Sequence, residues 1–260
     1  MMTDLKDLFL EERRQKILKW IEQQERASVT ELSQQLGVSE VTIRTDLQAL
    51  ADRQLIIRTH GGAIPTRGKT YDLALSRRRR QQVQAKSRIG RAAVELISDD
   101  DAIFLDSSST TLAIARHLKQ RRRQTVVTNS LVVAQEMLDV PGITVVMPGG
   151  IVHREMASLI KLDDLNMLQQ FNIQKGFLGA HGLSLSDGLT DASADEAEVK
   201  RLFVQRCRQV VVLLDTTKWG KVGLAQFAKI EDVDTIITDV DAPPELVQQV
   251  KTVGIETILV

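Results

Sequence analysis

The sequence predicts an α/β domain with a parallel sheet, preceded by a small winged helix-turn-helix domain. From residue 86 onward, short apolar runs typical of buried strands alternate with amphipathic runs typical of helices. Before residue 66, three helix-like segments precede an apolar run, a Gly-Gly turn and a return run. We therefore expect a first domain over residues 1–66, a basic linker over 67–85, and the α/β domain over 86–260.

The composition indicates a globular protein of one or two domains. The chain has 260 residues, 43% of them hydrophobic, so it can bury a large core. No uncharged apolar run approaches roughly 18 residues, and no signal peptide is recognisable, so we expect no membrane association. The single cysteine, Cys207, lies on an apolar helical stripe and fits a reducing compartment. These features predict a cytoplasmic protein.

Charge is distributed unevenly, although the net charge is zero. Residues 1–90 hold 17 Lys and Arg against 11 Asp and Glu, a net charge of +6. Residues 91–260 hold 17 against 23, a net charge of −6. This split predicts an anionic partner for the N-terminal part and a C-terminal part that repels nucleic acid.

The spacing of apolar residues before residue 51 predicts three short helices. Gly37 suits the tight turn before the third helix because it tolerates positive φ, and Ser39 can cap that helix. The residues expected to face inward are Ile17, Leu18, Ile21, Leu32, Leu36, Ile43, Leu47 and Leu50.

The outer face of the third helix predicts contact with double-stranded DNA. Helical spacing turns Val41, Thr45 and Gln48 outward, with Thr42 and Arg44 on the flanks. Hydroxyl, amide and guanidinium groups can contact base edges or phosphates in the major groove. The full set of residues expected at DNA is Ser28, Thr30, Ser39, Val41, Thr42, Arg44, Thr45, Gln48, Arg58 and His60.

Residues 55–64 predict a hairpin wing, which would place Arg58 and His60 near the DNA backbone or minor groove. The alternative for this domain is a three-helix bundle used for protein contacts. The following linker contains a run of four arginines, Arg77–Arg80. Such runs usually form a solvated surface. The alternative is a hinge whose arginines lie near DNA or near acidic patches of a partner subunit.

The α/β pattern is regular enough to place its elements. The expected helices are 86–97, 110–119, 131–138 and 161–170, and the expected strands are 102–106, 125–128, 143–147, 175–180, 210–215 and 235–239. The last three of these strands are apolar inside, as strands covered on both faces should be.

Polar residues follow several of these strands, and ligands of parallel sheets bind at the carboxyl ends of the strands. Residues 106–111 offer hydroxyls and backbone N–H groups at the start of a helix, which suits a phosphate. Lys218 adds a cation, while Asn129 and Asp191 can bind hydroxyls. The pattern predicts a phosphorylated sugar or polyol as ligand.

Two sets of motifs resemble the DeoR family of bacterial sugar-metabolism regulators. The first is Thr42-Ile43-Arg44-Thr45-Asp46-Leu47 followed by Arg58-Thr59-His60-Gly61-Gly62. The second is the order Asp-Ser-x-Ser-Thr-Thr, Thr-Asn-Ser, Gly-Gly, Gly-Leu-Thr-Asp and Asp-x-x-Lys-x-Gly after the strands. The family usually has a second basic residue where Thr45 stands and commonly a glycine where Ser108 stands.

This resemblance implies a sensor domain similar in fold to ribose-phosphate isomerase. It implies that residues 107–111 hold the phosphate with the help of Lys218, and that Asp106, Asp191 and Lys200 lie near the sugar. The full set of expected effector-binding residues is Asp106, Ser107, Ser108, Ser109, Thr110, Thr111, Asn129, Gly149, Gly150, Asp191, Lys200 and Lys218.

We therefore expect a sequence-specific DNA-binding regulator whose operator binding is modulated by a phosphorylated sugar. A repressor of a carbohydrate-metabolism operon is favoured. One helix-turn-helix makes few contacts, so a homodimer or homotetramer is expected. The sugar phosphate is an allosteric effector, and no cofactor, catalytic residue or metal site is predicted.

Two other classes stay open. A sugar-phosphate isomerase needs a carboxylate base near the C2 proton of its substrate. The loop 179–182 contains no acid, although Asp191, Asp195, Glu196 or Glu198 could serve. The other class is a ligand-independent architectural DNA-binding protein, which differs from a switch because no phosphosugar would change its operator affinity.

Overall fold

The chain divides into two units, residues 1–72 (unit 1) and 73–260 (unit 2). The computed structural model describes residues 5–24, 27–53, 55–59, 61–65, 75–119, 123–163, 168 and 170–260. Among these residues, no helix is both long and apolar enough to cross a bilayer.

Unit 1 has the predicted winged helix-turn-helix fold. Its helices are α1 (Leu5–Gln24), α2 (Val29–Leu36) and α3 (Glu40–Asp52). Its strands are β1 (Ala27–Ser28), β2 (Ile56–Thr59) and β3 (Gly62–Pro65), which form an antiparallel sheet in the order β1–β3–β2. Strands β2 and β3 are the predicted hairpin. Gly62 is needed where β3 meets β1, because a Cβ there would lie 2.0 Å from the carbonyl oxygen of Ala27.

The helix caps follow from the sequence. Ser28 Oγ accepts from the N–H of Glu31 at 3.1 Å, and the Glu31 carboxylate accepts from the N–H of Ser28 at 2.8 Å. This capping box starts α2. Gly37 ends α2 with φ +64°, and Ser39 Oγ caps α3 by accepting from the N–H of Thr42 at 3.2 Å. The predicted inward residues Ile17, Ile21, Leu32, Ile43, Leu47 and Leu50 are buried, and Leu18 and Leu36 pack against them.

A buried carboxylate joins α1 to α3. Asp46 is only 1% exposed, and its two oxygens accept from Arg13 Nε at 2.6 Å and from Arg14 Nε at 2.9 Å. The apolar spacing of α3 did not predict this contact, because Arg13 and Arg14 lie more than thirty residues before Asp46. The pairing fixes how α1 crosses the helix expected to face DNA.

Unit 2 contains the predicted parallel sheet. Seven strands pair in parallel in the order β15–β14–β12–β9–β4–β5–β6, and they are β4 (Ala102–Leu105), β5 (Gln124–Thr128), β6 (Ile143–Val146), β9 (Lys175–Gly179), β12 (Gln209–Leu214), β14 (Thr235–Thr238) and β15 (Glu256–Leu259). The helices around it are α5 (Val83–Glu95), α6 (Thr111–Leu118), α7 (Leu131–Met137), α8 (Ala194–Val204) and α9 (Pro244–Thr252).

The sheet core lies on both faces, which explains why its central strands carry few polar side chains. On one face, Phe104 of β4 stacks on Phe203 of α8 with ring centroids 3.5 Å apart. On the other face, Ile89 of α5 is fully buried. Cys207 packs against the core on the Phe203 face, although it follows the end of α8 and does not lie on a helix as predicted. Burial raises the pKa of its thiol to about 12.

Smaller β elements differ from the predicted pattern. Strands β7 (Gly149–His153) and β8 (Ser158–Asp163) form an antiparallel hairpin. Residues 161–163 belong to β8, so the predicted helix over 161–170 is wrong at its start, and 164–167 and 169 lie outside the described residues. A second small sheet has the order β10–β11–β13, formed by β10 (Gly182–Ser184), β11 (Gly188–Asp191) and β13 (Ala225–Ala228). Alternation in these runs is too short to give a periodic signal.

The predicted linker over 67–85 is only partly described. Residues 67–74 lie outside the described residues, whereas the short helix α4 (Leu75–Arg78) belongs to unit 2. Leu75 is buried, and its N–H donates to the carbonyl of Glu155 at 3.0 Å. The second half of this segment is therefore packed structure rather than linker.

Replacing Asp46 by Asn should destabilise unit 1 by about 1–3 kcal/mol, because two largely buried guanidinium groups lose their counter-charge. We expect amide hydrogen exchange in α3 to become about tenfold faster or more, measured by mass spectrometry on the full chain. Asp52→Asn, on the exposed face of the same helix, is the control. Equal exchange in both variants would show that the Asp46 pairing contributes nothing.

Candidate nucleic-acid interface and ligand site

The residues expected at DNA lie on α3, at the start of α2 and on β2. Val41 is 69% exposed, and Arg44, Thr45 and Gln48 are exposed on the same helix. Arg58 Nη1 on β2 donates to Gln48 Oε1 at 2.8 Å. The wing and the third helix therefore share one surface.

Polar contacts hold several of these side chains in place. Glu40 accepts from Arg44 at 2.9 Å through one oxygen and from the Thr30 hydroxyl at 2.8 Å through the other. The Ser28 and Ser39 hydroxyls cap their helices, and Ser39 also pairs with the Thr42 hydroxyl at 2.9 Å. His60 lies outside the described residues. Contact of each of these positions with DNA stays a prediction.

The ligand site predicted at the strand ends lies where the order of the strands reverses. The chain proceeds from β4 to β5 and β6 on one side, then returns to β9 on the other side of β4. The crevice between β4 and β9 is thus the topological switch point, where α/β sheets bind ligands. Asp106 follows β4, and its Oδ2 accepts from the N–H of Gly179 at 2.9 Å at the end of β9. One carboxylate therefore joins the two central strands at this point.

The same carboxylate shapes the loop that follows it. Asp106 Oδ1 accepts from the N–H of Ser108 and from the Thr111 hydroxyl, both at 2.9 Å. The Ser108 hydroxyl accepts from the N–H of Thr111, the first residue of α6, at 3.2 Å. Gly179 must be glycine here, because a Cβ would lie 2.6 Å from Ser108. With both oxygens engaged, Asp106 organises the site.

Two positions of this loop stay available. In the part of the chain that the structure describes, the backbone N–H groups and hydroxyls of Ser109 and Thr110 have no hydrogen-bond partner. They lie at the N-terminal end of α6, where the helix dipole favours negative charge. This arrangement can hold an oxyanion such as a phosphate.

Lys200 pairs with the two buried acids of the crevice. Its Nζ lies 2.6 Å from Asp191 Oδ2 and 3.2 Å from Asp106 Oδ2, and it donates to the carbonyl of Gly179 at 2.6 Å. Burial opposes the charged form of Lys200, but Asp191 and Asp106 raise its pKa above the ordinary value. Burial likewise opposes ionisation of Asp191, whose pKa Lys200 nevertheless lowers. Lys200 thus joins both carboxylates in one buried cluster.

Glu196 connects three parts of the site, a role that the sequence did not predict. It is 1% exposed and accepts from the Ser107 hydroxyl at 2.6 Å and from the Ser158 hydroxyl of β8. His153 Nδ1 lies 3.3 Å from the same carboxylate. Helix α8 is thereby tied to the loop after β4 and to the β7–β8 hairpin. These partners lie 38 to 89 residues away in sequence, so no local pattern could have revealed them.

Asn129 and the Gly-Gly pair occupy different places. Asn129 is buried, its Nδ2 donates to the carbonyl of Leu159 at 3.1 Å, and its Oδ1 is buried without a hydrogen-bond partner. Gly149 and Gly150 instead begin β7. A Cβ at Gly150 would lie 2.7 Å from the carbonyl oxygen of Ile160. Their close neighbours belong to the hairpin, so their predicted ligand contact has no support in this geometry.

Positive charge gathers at the edge of the crevice. Lys218 follows β12, the strand next to β9, and interacts electrostatically with Asp215, Arg78 and Lys221. Burial, together with Arg78 and Lys221, lowers the pKa of Lys218 against the opposing effect of Asp215. Burial and Lys218 also lower the pKa of His181. A bound anion would relieve the repulsion among these cations.

A second buried lysine braces this edge. Lys86 Nζ donates to the carbonyls of Arg78 and Gln81, each at 2.8 Å, and lies 3.9 Å from Asp215 Oδ2. Burial lowers the pKa of Lys86 to about 8, since Asp215 only partly compensates for the loss of solvation. Sequence reasoning missed Lys86 and Arg78 because both lie in or beside the segment taken as a linker.

Comparison with known proteins is decisive for the family. Residues 13–67 match the model of the DeoR-like helix-turn-helix domain, and residues 81–240 match that of the DeoR C-terminal sensor domain. The chain belongs to the DeoR family. It is a DeoR-family transcriptional regulator, with a helix-turn-helix domain for DNA and a sensor domain for an effector.

Relatives of this DeoR-family regulator match along nearly their whole length. It is 36% identical over 232 residues to the HTH-type transcriptional regulator GolR of Listeria innocua, covering 89% of this chain and 91% of that protein. It is 31% identical to the glycerol-3-phosphate regulon repressor of Escherichia coli K12, covering 91% and 93%. These relatives are transcriptional regulators rather than enzymes. A ribose 5-phosphate isomerase A of Methanocaldococcus jannaschii superposes with a TM-score of 0.41 and 18% identity, covering 54% of this chain and 55% of that chain.

The lowered pKa of Lys86 predicts a pH-dependent stability. Between about pH 8 and the ordinary lysine value of 10.5, the unfolded chain binds a proton that the folded chain has released, so stability rises with pH in this window. Wild type should therefore gain roughly 2–3 kcal/mol relative to Lys86→Met from pH 7 to pH 10.5. Urea unfolding at several pH values measures this difference. Lys251→Met, at an exposed site on α9, should keep the wild-type profile; a wild-type profile in Lys86→Met would contradict the assignment.

Proposed function

We propose that this regulator represses a carbohydrate-metabolism operon and that a phosphorylated sugar or polyol, bound at the β4–β9 crevice, modulates its operator affinity. The proposal rests mainly on the loop 107–111. Its conformation is fixed by Asp106 and Glu196, yet Ser109 and Thr110 keep unpartnered donors among the described residues. Pre-organised donors at a helix N-terminus with a lysine at the same sheet edge suit a phosphate monoester.

The polar groups around this loop support a hydroxylated ligand. The buried Asn129 Oδ1 can accept a hydroxyl hydrogen, and His181 lies near Lys218 and Asp191 at the edge. Asp106 and Lys200 contribute mainly by holding the crevice in shape, because their polar atoms are already bonded to other protein groups. The name of the Escherichia coli relative, a glycerol-3-phosphate regulon repressor, agrees with an effector of this chemical class.

At the DNA, we propose that α3 enters the major groove and that the wing contacts the adjacent backbone. Arg44 is exposed on α3, and Arg58 extends from the wing to Gln48 on the same surface. A single module of this size makes few contacts, so a homodimer or homotetramer on paired half-sites gives the necessary affinity and specificity. Effector binding then favours a state of the protein with a different affinity for the operator.

Arg44→Ala should weaken binding to the DNA upstream of the regulated genes and lower the salt slope of log K by about one, as expected for one lost phosphate contact. Titrations at several salt concentrations give both quantities. Arg123→Ala is a suitable control, since Arg123 is also an exposed arginine paired with an acid, Asp100, but lies in unit 2. An unchanged slope and affinity in Arg44→Ala would remove Arg44 from the interface.

Ser109→Ala and Lys218→Ala should each weaken binding of the phosphorylated effector by about tenfold or more, because each removes a donor to the phosphate. Thermal shift with glycerol 3-phosphate and ribose 5-phosphate, against glycerol and ribose, first identifies a phosphate-dependent ligand. Calorimetry on the variants then measures its affinity. Ser186→Ala, at an exposed turn, is the control. Wild-type affinity in both variants would refute the position of the site.

A further inference from the structure

The guanidinium group of Arg78 lies beside the crevice and has no strong hydrogen-bond acceptor among the described residues. It is the last residue of α4 and is partly buried. Its Nη2 donates to the thioether sulfur of Met156 at 2.8 Å, while its Nε is buried and has no hydrogen-bond partner. Thioether sulfur is a weak acceptor, and a guanidinium carries five N–H donors. The described residues therefore leave much of the donor capacity of Arg78 unused.

The acids nearest to this edge are already engaged elsewhere. Asp191 interacts with Arg78 electrostatically, but its Oδ2 lies 2.6 Å from Lys200 and its Oδ1 accepts from the N–H of Ser193 at 3.2 Å. Asp215 accepts from the N–H and hydroxyl of Thr217 and faces Lys86. Neither carboxylate forms an ion pair with Arg78 in the described structure. An oxyanion from outside the chain is the partner that this geometry lacks.

The position of Arg78 is fixed by the fold. Its own carbonyl accepts from Lys86 Nζ at 2.8 Å, and α4 is anchored at its other end by the bond from Leu75 to Glu155. The Arg78 charge acts on three neighbouring groups and contributes to the lowered pKa values of Lys86, Lys218 and His181. Arg79 and Arg80, the next residues of the same run, are exposed. Only the second arginine of the run combines this anchoring with an unsatisfied buried donor.

We propose that Arg78 binds the anionic group of the effector together with Lys218, an inference that rests on the proposed function. Guanidinium groups bind phosphate through two parallel hydrogen bonds, which a lysine cannot reproduce. Helix α4 is the first described helix after the wing in sequence. An effector bound by Arg78 therefore holds the position of α4. This helix lies near the start of unit 2 in sequence, where the chain arrives from the DNA-binding unit.

The test compares Arg78→Gln and Arg78→Lys with Arg79→Gln and Arg80→Gln. The probe is whichever of glycerol 3-phosphate and ribose 5-phosphate stabilises wild type in the thermal-shift panel, with inorganic phosphate added as a third candidate. We expect Arg78→Gln to bind it roughly 10- to 100-fold more weakly in calorimetry, as expected for loss of a charge-assisted hydrogen bond. Arg78→Lys should recover only part of the affinity, and the Arg79 and Arg80 variants should bind like wild type.

The outcomes separate this inference from the proposed function. If Arg78→Gln and Arg78→Lys bind the probe like wild type while Ser109→Ala loses affinity, the crevice is the effector site and the role of Arg78 is refuted. If wild type binds no phosphorylated compound, both proposals are refuted. Should Arg78→Gln have a lowered melting temperature without ligand, Arg78→Lys decides the question, because it keeps the charge and loses the paired geometry.

Discussion

The buried cluster of Lys200, Asp106 and Asp191 is the constraint on which the proposed ligand site depends. The Lys200 ammonium lies 3.2 Å from an Asp106 oxygen and 2.6 Å from an Asp191 oxygen, and loss of one partner of a buried ion pair leaves the other charge uncompensated. Asp106 in turn holds the end of β9 and the loop that starts α6. The cluster therefore fixes the width of the crevice at the topological switch point. Removal of the Lys200 charge would leave both carboxylates without their cation in the sheet interior.

Around this cluster, some polar groups are hydrogen-bonded within the protein and others keep donors that a ligand could use. Four residues of the loop form hydrogen bonds with one another or with Glu196, namely Asp106, Ser107, Ser108 and Thr111. Ser109, Thr110, Lys218 and Arg78 keep donors free of strong partners among the described residues. These four residues can all donate, which favours an anion, while the buried Asn129 Oδ1 can accept from a hydroxyl of the same ligand. A rigid loop with unsatisfied donors binds such a ligand at a low cost in conformational entropy.

The sequence predicted what depends on local pattern. Apolar runs located six of the seven strands of the parallel sheet to within one residue and missed the edge strand β15. Ser28, Gly37 and Ser39 located the helix boundaries of unit 1. It missed contacts between distant residues, such as Asp46 with Arg13 and Glu196 with Ser158. It also treated Arg77–Arg80 as one charged run, although Arg78 alone carries a buried unsatisfied donor. Burial within such a run depends on tertiary packing, which periodicity does not contain.

The central claim is that the crevice and the DNA-binding unit are thermodynamically linked. The most direct measurement is the affinity of the full chain for its phosphorylated effector, determined by calorimetry with and without saturating operator DNA, beside the operator affinity with and without effector. Linkage requires the two ratios to be equal, and a factor of about 5–150 is typical of such coupling. A ratio of one in both directions, with tight binding of each ligand, would contradict the account.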